Sequence, residues 1–301
     1  MKRPLYFIAL LVALSAAVLF VACSDNDEGD ATTPAAGTAT ATATPTSFAA
    51  GSTMARIAGN KRLTIGVKYD QPGFGVKDPV SGKVDGFDVA IGREIGKALG
   101  LTDDQITFTE AVSANRIPYL KEDKVDLVIA TMTITDARKL EIDFSRVYFR
   151  AGQSLLVKKD NATIKSVTDL NGKKACSVTG STSEKNVKEK APQVDLLTLD
   201  AYAACVASLK DGRVEAVTTD DIILAGFAKT DATLKLVGGT FTQEPYGIGF
   251  KKGKDDLVAF VNTLLNDMLK DGRWDRIYQQ YLGGIEGLPS AQDARAALPA
   301  S

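Results

Sequence analysis

The chain has 301 residues, with 36 basic and 37 acidic side chains and no histidine. Near-zero net charge offers no basic surface for nucleic acid, and the lack of histidine excludes His-ligated metal sites and Ser-His-Asp or Cys-His nucleophile systems. The length suits one large domain or two medium ones.

In chain order, Lys2 and Arg3 precede the apolar run FIALLVALSAAVLFVA, which ends at Cys23. A basic start before such a run reads as an export signal over residues 1–22; the alternative is an uncleaved anchor helix. A cysteine directly after Val21 and Ala22 resembles the bacterial lipoprotein signal, in which that cysteine is lipidated and becomes the new N-terminus. Phe20 departs from the leucine usual at that position. Residues 23–55 carry the lipidated Cys23 and a Thr-, Ala-, Pro- and acid-rich stretch without apolar periodicity, a disordered tether. Such a tether reaches about 30 Å. Both readings of the N-terminus put the folded part outside the cytoplasm and beside the cell membrane.

From about residue 60, strand and helix patterns alternate. RLTIGVKY is a strand, GFDVAIGREIGKALG an amphipathic helix ending at Gly100, and ITFTEAV a strand. A helix around Ile117 to Lys121 leads into the strand DLVIATMT. SLLVKK, KKACSVTG and AVTTDD read as strands, and SEKNVKEK, AYAACVASLKDG, IILAGFAK and KDDLVAFVNTLLNDMLKDGRWDRIYQQYL as helical. This alternation predicts an α/β fold with mainly parallel pairing. Cys176 falls on a strand and Cys205 on a helix. Outside the cytoplasm they form a disulfide if those elements are neighbours, and otherwise remain two buried thiols.

YLKEDKVDLVIATMTITDAR and SLKDGRVEAVTTDDIILAG share one plan: helix end, basic-Val-acid, apolar strand, threonines, then a charged residue opening a helix. Two similar lobes follow, each presenting a polar strand end, where ligands of open α/β sheets bind. Strand residues two apart share a face, so Thr131 and Thr133 point the same way. The first copy supplies Arg138 and the second Asp220. A guanidinium fork suits a carboxylate and an aspartate suits an ammonium group, so the facing ends suit a free amino acid. The plainer reading makes Thr135 a helix cap and Arg138 a solvated side chain, with Asp220 an N-cap.

At these residues the chain resembles the extracytoplasmic solute-binding proteins of polar amino acid ABC transporters, family 3, over about residues 60–282. The markers are GFDVAIGREIGKALG, NRIPYLKEDKVDLVIATMTITDARK, DFSRVYF, CSVTGSTSE and AVTTDD, and VKYDQPGFG with NRIP points to the glutamate-binding branch. The resemblance implies a two-lobe periplasmic-binding-protein-like fold of type II with two hinge crossovers. Lobe 1 spans 56–149 and 246–283, lobe 2 spans 150–245, and 284–301 form a C-terminal tail. It implies a monomer that closes on a free amino acid and delivers it to a membrane permease, with no cofactor, metal or catalytic residue.

Carried over position by position, Arg138 receives the α-carboxylate, helped by Thr133 and by the loop at Ser181 and Thr182, where free N–H groups of a helix start favour an anion. Asp220 and Thr131 receive the α-amino group. The position of Lys68 is commonly acidic in relatives that bind basic or amide ligands, so a lysine reverses the charge preference. Arg116 matches the arginine that meets a distal carboxylate, with Ser113 beside it. The ligand read from these residues is glutamate or aspartate, with glutamine or another polar amino acid as the alternative. Lys68 has a plainer reading as a partner of Asp70, and Arg116 as a partner of Glu110 or Asp126. Phe87 is placed on the cleft wall, with core packing the alternative, and Gln71 stands where relatives often carry an aromatic ring. An enzyme of the same fold would need an acid–base pair over the substrate, for which the cleft offers no spare group. A sensory receptor of this fold is the other rival.

Overall fold

The structure is a computed structural model that describes residues 47–299. The export segment, Cys23 and the tether up to residue 46 lie outside the described residues. After helix Thr53–Asn60 come β1 (Leu63–Val67), β2 (Asp70–Gln71), β3 (Gly75–Lys77), β4 (Val84–Asp85), β5 (Ile106–Glu110), β6 (Leu127–Val128) and β7 (Ile142–Ala151). They are followed by β8 (Gln153–Lys158), β9 (Lys174–Val178), β10 (Asp195–Leu199), β11 (Ala216–Asp220), β12 (Leu234–Val237) and β13 (Glu244–Lys251).

These strands form two five-stranded sheets, ordered β5-β1-β6-β13-β7 and β10-β9-β11-β8-β12, and a small sheet β2-β3-β4. Each large sheet centres one lobe of a type II binding-protein fold. The chain leaves the first sheet at β7, enters the second at β8, and returns from β12 to β13. Gly152 lies between β7 and β8, and a Cβ there would sit 2.8 Å from the carbonyl oxygen of Thr242. The two crossings therefore run against each other with room only for glycine.

The pairing is more mixed than the sequence reading expects. β1 runs parallel to β5 and β6, and β9 to β10 and β11, but β13 is antiparallel to β6 and β7, and β8 to β11 and β12. A strand that enters a sheet straight from the other lobe has no crossover helix to reverse it, so it joins antiparallel. The long C-terminal helix is two helices, Asp255–Lys270 and Arg273–Tyr281, separated at Gly272 with φ 77°. The tail contains a helix, Ala291–Ala296, capped by Ser290, and Tyr278 donates to the carbonyl of Pro289 at 2.8 Å.

Behind the crossings lies a buried aromatic cluster: Phe74, Phe87, Tyr148, Phe149, Tyr246 and Trp274. Phe149 of β7 and Tyr246 of β13 stack at 5.7 Å, and Phe74 meets Phe149 edge-on at 5.2 Å. Such pairs add about 0.5–1.5 kcal/mol each beyond their burial, which makes the lobe 1 side of the hinge stiff. In lobe 2, Cys176 of β9 and Cys205 of helix Tyr202–Lys210 form a disulfide closing a separation of 29 residues.

Candidate functional site

Lys68 follows the carboxyl end of β1 and is 3% exposed. Its Nζ donates to Ser113 Oγ at 2.8 Å. Arg116 opens helix Arg116–Lys121. Its Nε donates to the Ser113 carbonyl at 3.2 Å, and one terminal nitrogen to the carbonyls of Ala130 (3.0 Å) and Thr131 (3.3 Å). Ser113 thus joins the two cations. The plainer pairings are not formed: Asp126 takes Arg56 at 2.8 Å, and Asp70 accepts from the Ala203 N–H at 3.2 Å. Among the described residues, neither Lys68 nor Arg116 makes an ion pair.

Burial pushes the Lys68 ammonium down to about 7, with the positive field of Arg116 as the next cause. Burial, then Arg138, brings Arg116 down to about 9. Both cations are thus held at a cost that a carboxylate between them would remove.

Thr131 and Thr133 do not share a face, because the strand ends at Val128. Thr131 has φ 45°, a left-handed value that strains a β-branched residue. The corner is held from three sides. Asp88 accepts the Thr131 N–H at 2.9 Å, Gln71 Oε1 accepts its hydroxyl at 2.9 Å, and its carbonyl receives Arg116. Asp88 also accepts the Tyr148 hydroxyl at 2.7 Å. Burial pushes its carboxyl up to about 7, against the pull of these two bonds. Thr133 instead forms an isolated bridge with Tyr246, and its hydroxyl goes to Glu244 at 2.6 Å.

Thr135 caps helix Asp136–Glu141 by accepting the Arg138 N–H at 3.2 Å, as its plainer reading has it. The Arg138 guanidinium turns back to the Thr133 carbonyl (2.7 Å) and crosses to the Gly180 carbonyl of lobe 2 (3.2 Å). Ser181 caps helix Thr182–Lys190 through the Glu184 N–H at 3.0 Å. Asp220 ends β11 in the N-cap position of helix Asp221–Thr230, but its side chain makes no cap bond. One oxygen accepts the Tyr246 hydroxyl in a short bond; the other is buried without a partner. Burial, then the charge of Glu244, pushes its carboxyl up to about 8.

A cavity between the lobes collects Arg116, Thr131 and Thr133 from lobe 1 and Ser181, Thr182 and Asp220 from lobe 2. Lys68 connects to it only through Ser113, which bonds both Lys68 and Arg116, while Ser113, Arg138 and Gly180 line a second cavity. Phe87 is not part of it. The ring is 0% exposed and packs on Phe74, Tyr148 and Trp274, so its place on the cleft wall is corrected to the core. A helix-opening GFD motif looks the same whether its ring faces ligand or core.

Ser183, Tyr202, Thr219 and Ile223, which line the cavity, escape the sequence reading, as do Tyr246 and Glu244, which bond to its lining. The last two sit in TQEPYGIGF, where an acid beside a proline before an apolar strand is the only signal. Chemically, the cleft sets buried cations on one wall against a carboxylate with an open oxygen on the other. Those charges complement carboxylates and an ammonium group.

This fold and cleft define a two-lobe binder of small polar molecules, and the chain belongs to the bacterial extracellular solute-binding proteins, family 3, which it matches over residues 63–284. It is 41% identical over 278 residues to the ABC transporter glutamine-binding protein GlnH of Bacillus subtilis (strain 168), covering 92% of this chain and 96% of that one. It is 33% identical over 298 residues to the glutamate-binding protein GluB of Corynebacterium efficiens, covering 94% of each. A solved ancestral arginine-binding protein bound to glutamine superposes with a TM-score of 0.70 at 42% identity, covering 74% of this chain and 98% of that one. Each of these relatives is named for binding an amino acid, one of them within an ABC transporter, and the family is extracellular.

Proposed function

We propose that the protein is the membrane-anchored receptor of an amino acid ABC importer and that its ligand is an acidic amino acid, glutamate or aspartate. The observation that carries this reading is the pair Lys68 and Arg116, both buried, joined through Ser113, and without an ion pair among the described residues. A distal carboxylate would cut the charge of the pair from +2 to +1, and an amide would leave both cations uncompensated. Asp220, with one open oxygen, receives the ammonium group; Arg138 receives the α-carboxylate. Lobe closure traps the ligand, a permease takes it from the closed form, and the ligand leaves chemically unchanged. Lipidated Cys23 and the tether hold the receptor beside that permease.

Glutamine is the second reading, favoured by the relative named for glutamine at 41% identity and by the ease with which Lys68, lowered to about 7, can turn neutral. Isothermal titration of the ligand-stripped full chain with Glu, Asp, Gln and Arg at pH 7 separates the two. Tighter binding of Glu or Asp than of Gln supports the acidic reading; the reverse order overturns it and leaves the amino acid receptor standing.

A further inference from the structure

Glu244 opens β13, where the chain re-enters lobe 1, and pairs with Ala151 of the other crossing. Its side chain is 2% exposed and is satisfied by four donors. One oxygen accepts the hydroxyls of Thr133 (2.6 Å) and Thr182 (2.9 Å). The other accepts the Thr242 hydroxyl (2.7 Å) and the Asn186 side-chain amide (3.0 Å). No cation pairs with it among the described residues. A buried carboxylate is tolerable only when so fully bonded. The donors come from different bodies: Thr133 from lobe 1, Thr182 and Asn186 from the first helix of lobe 2 after the hinge, and Thr242 from the crossing itself.

We infer that Glu244 is a closure clasp: its carboxylate binds hydroxyls of both lobes only when the cleft is shut, and so holds the receptor around its ligand. Opening separates Thr133 from Thr182, which lie 3.4 Å apart, and takes at least one hydroxyl donor from the carboxylate. The clasp also orients two cavity hydroxyls. Each has one proton, and both protons point at Glu244. Toward the cavity, Thr133 and Thr182 therefore present lone pairs, which accept from an ammonium group and repel a carboxylate. That places Thr133 with the ammonium group, and leaves the α-carboxylate to Arg138 and to backbone N–H groups. The clasp rests on the amino acid-receptor reading but not on which amino acid is bound.

The test uses the full chain as wild type, E244Q, T182V and the double variant. Dissociation of L-glutamate is followed by stopped-flow displacement, or of L-glutamine if wild type takes that instead. An amide can accept from the hydroxyls through one atom only, so E244Q dissociates ligand about tenfold faster, with association changed less than twofold. T182V also dissociates ligand faster, and the double variant loses less than the product of the two single effects, because part of each effect is the same Thr182–Glu244 interaction; multiplicative effects overturn the clasp. A lowered melting temperature with unchanged dissociation overturns the clasp and leaves Glu244 a packing residue. Wild type that binds neither amino acid refutes the receptor reading instead. In that case small-angle scattering of the ligand-free proteins decides the clasp: E244Q more expanded than wild type supports it, and equal dimensions overturn it.

Discussion

Replacing Lys68 by methionine keeps the stem that fills the space beside Ser113 and removes the ammonium. In the ligand-free site burial holds that ammonium at about 7, so at pH 8 roughly nine-tenths of the molecules carry a neutral lysine. A distal carboxylate beside Arg116 restores the charge. Full restoration to the ordinary 10.5 corresponds to ~5 kcal/mol, an upper bound on what the ligand charge gains there. At pH 8, where the ligand must first protonate the lysine, at most ~3.4 kcal/mol of this is realised, so Lys68→Met costs glutamate ~2–3 kcal/mol, roughly 30- to 150-fold in affinity, and costs glutamine less than tenfold. The proton count is the sharper readout. Calorimetry at pH 8 in phosphate and in Tris gives the protons exchanged on binding. Asp220, raised to about 8, releases protons for any α-ammonium ligand, so its contribution cancels between ligands. Glutamate should take up nearly one proton more than glutamine in wild type and show no difference in Lys68→Met. Equal proton exchange for the two ligands in wild type would refute the placing of a distal carboxylate at Lys68.

Other consequences are equally direct. Arg138→Ala and Asp220→Ala should each abolish binding of every amino acid in calorimetry; retained glutamate affinity in either sinks that side chain's assignment. Gly226 of helix Asp221–Thr230 lies against lobe 1, where a Cβ would come 2.5 Å from the Pro72 carbonyl. Gly226→Val should hold the lobes apart and weaken binding more than tenfold, with little change in the melting temperature of the ligand-free protein. Asp88 has its folded pKa raised from 3.8 to about 7, so its contribution to stability is greatest below pH 4 and falls as pH rises to 7. Asp88→Asn should reduce the loss of melting temperature between pH 5 and 7.5 relative to wild type. Removing the Cys176–Cys205 link, which closes a 29-residue separation, should cost ~3–4 kcal/mol on the chain-entropy argument, read from urea unfolding with and without reductant.

Side chains whose role is set within a few residues were legible in the sequence. Thr135 caps the helix that follows it, and the helix over GFDVAIGREIGKALG needs only its own period. The repeat pointed to two polar strand ends; of the residues it named, Thr131, Thr133 and Asp220 line one cavity and Arg138 lines another. Errors arose where a long-range partner decides. Thr131 and Thr133 face different ways because Asp88 and Arg116 grip the backbone between them, 43 and 15 residues away, and force a left-handed corner into what reads as a strand. Phe87 belongs to the core because Trp274 and Tyr148, from distant segments, close over its ring. Glu244 was invisible for the same reason: its four donors come from three places in the chain, two of them distant, and an acid before Pro245 has no periodicity to mark it. Mixed pairing escaped notice because antiparallel entry at a hinge is a property of the route between lobes, not of any one strand.

The most direct measurement is a crystal structure of the full chain with L-glutamate. The α-carboxylate should lie on Arg138, the ammonium on the open oxygen of Asp220, and the distal carboxylate between Lys68 and Arg116. A distal carboxylate turned toward lobe 2, with Lys68 still bonded only to Ser113, would contradict the account.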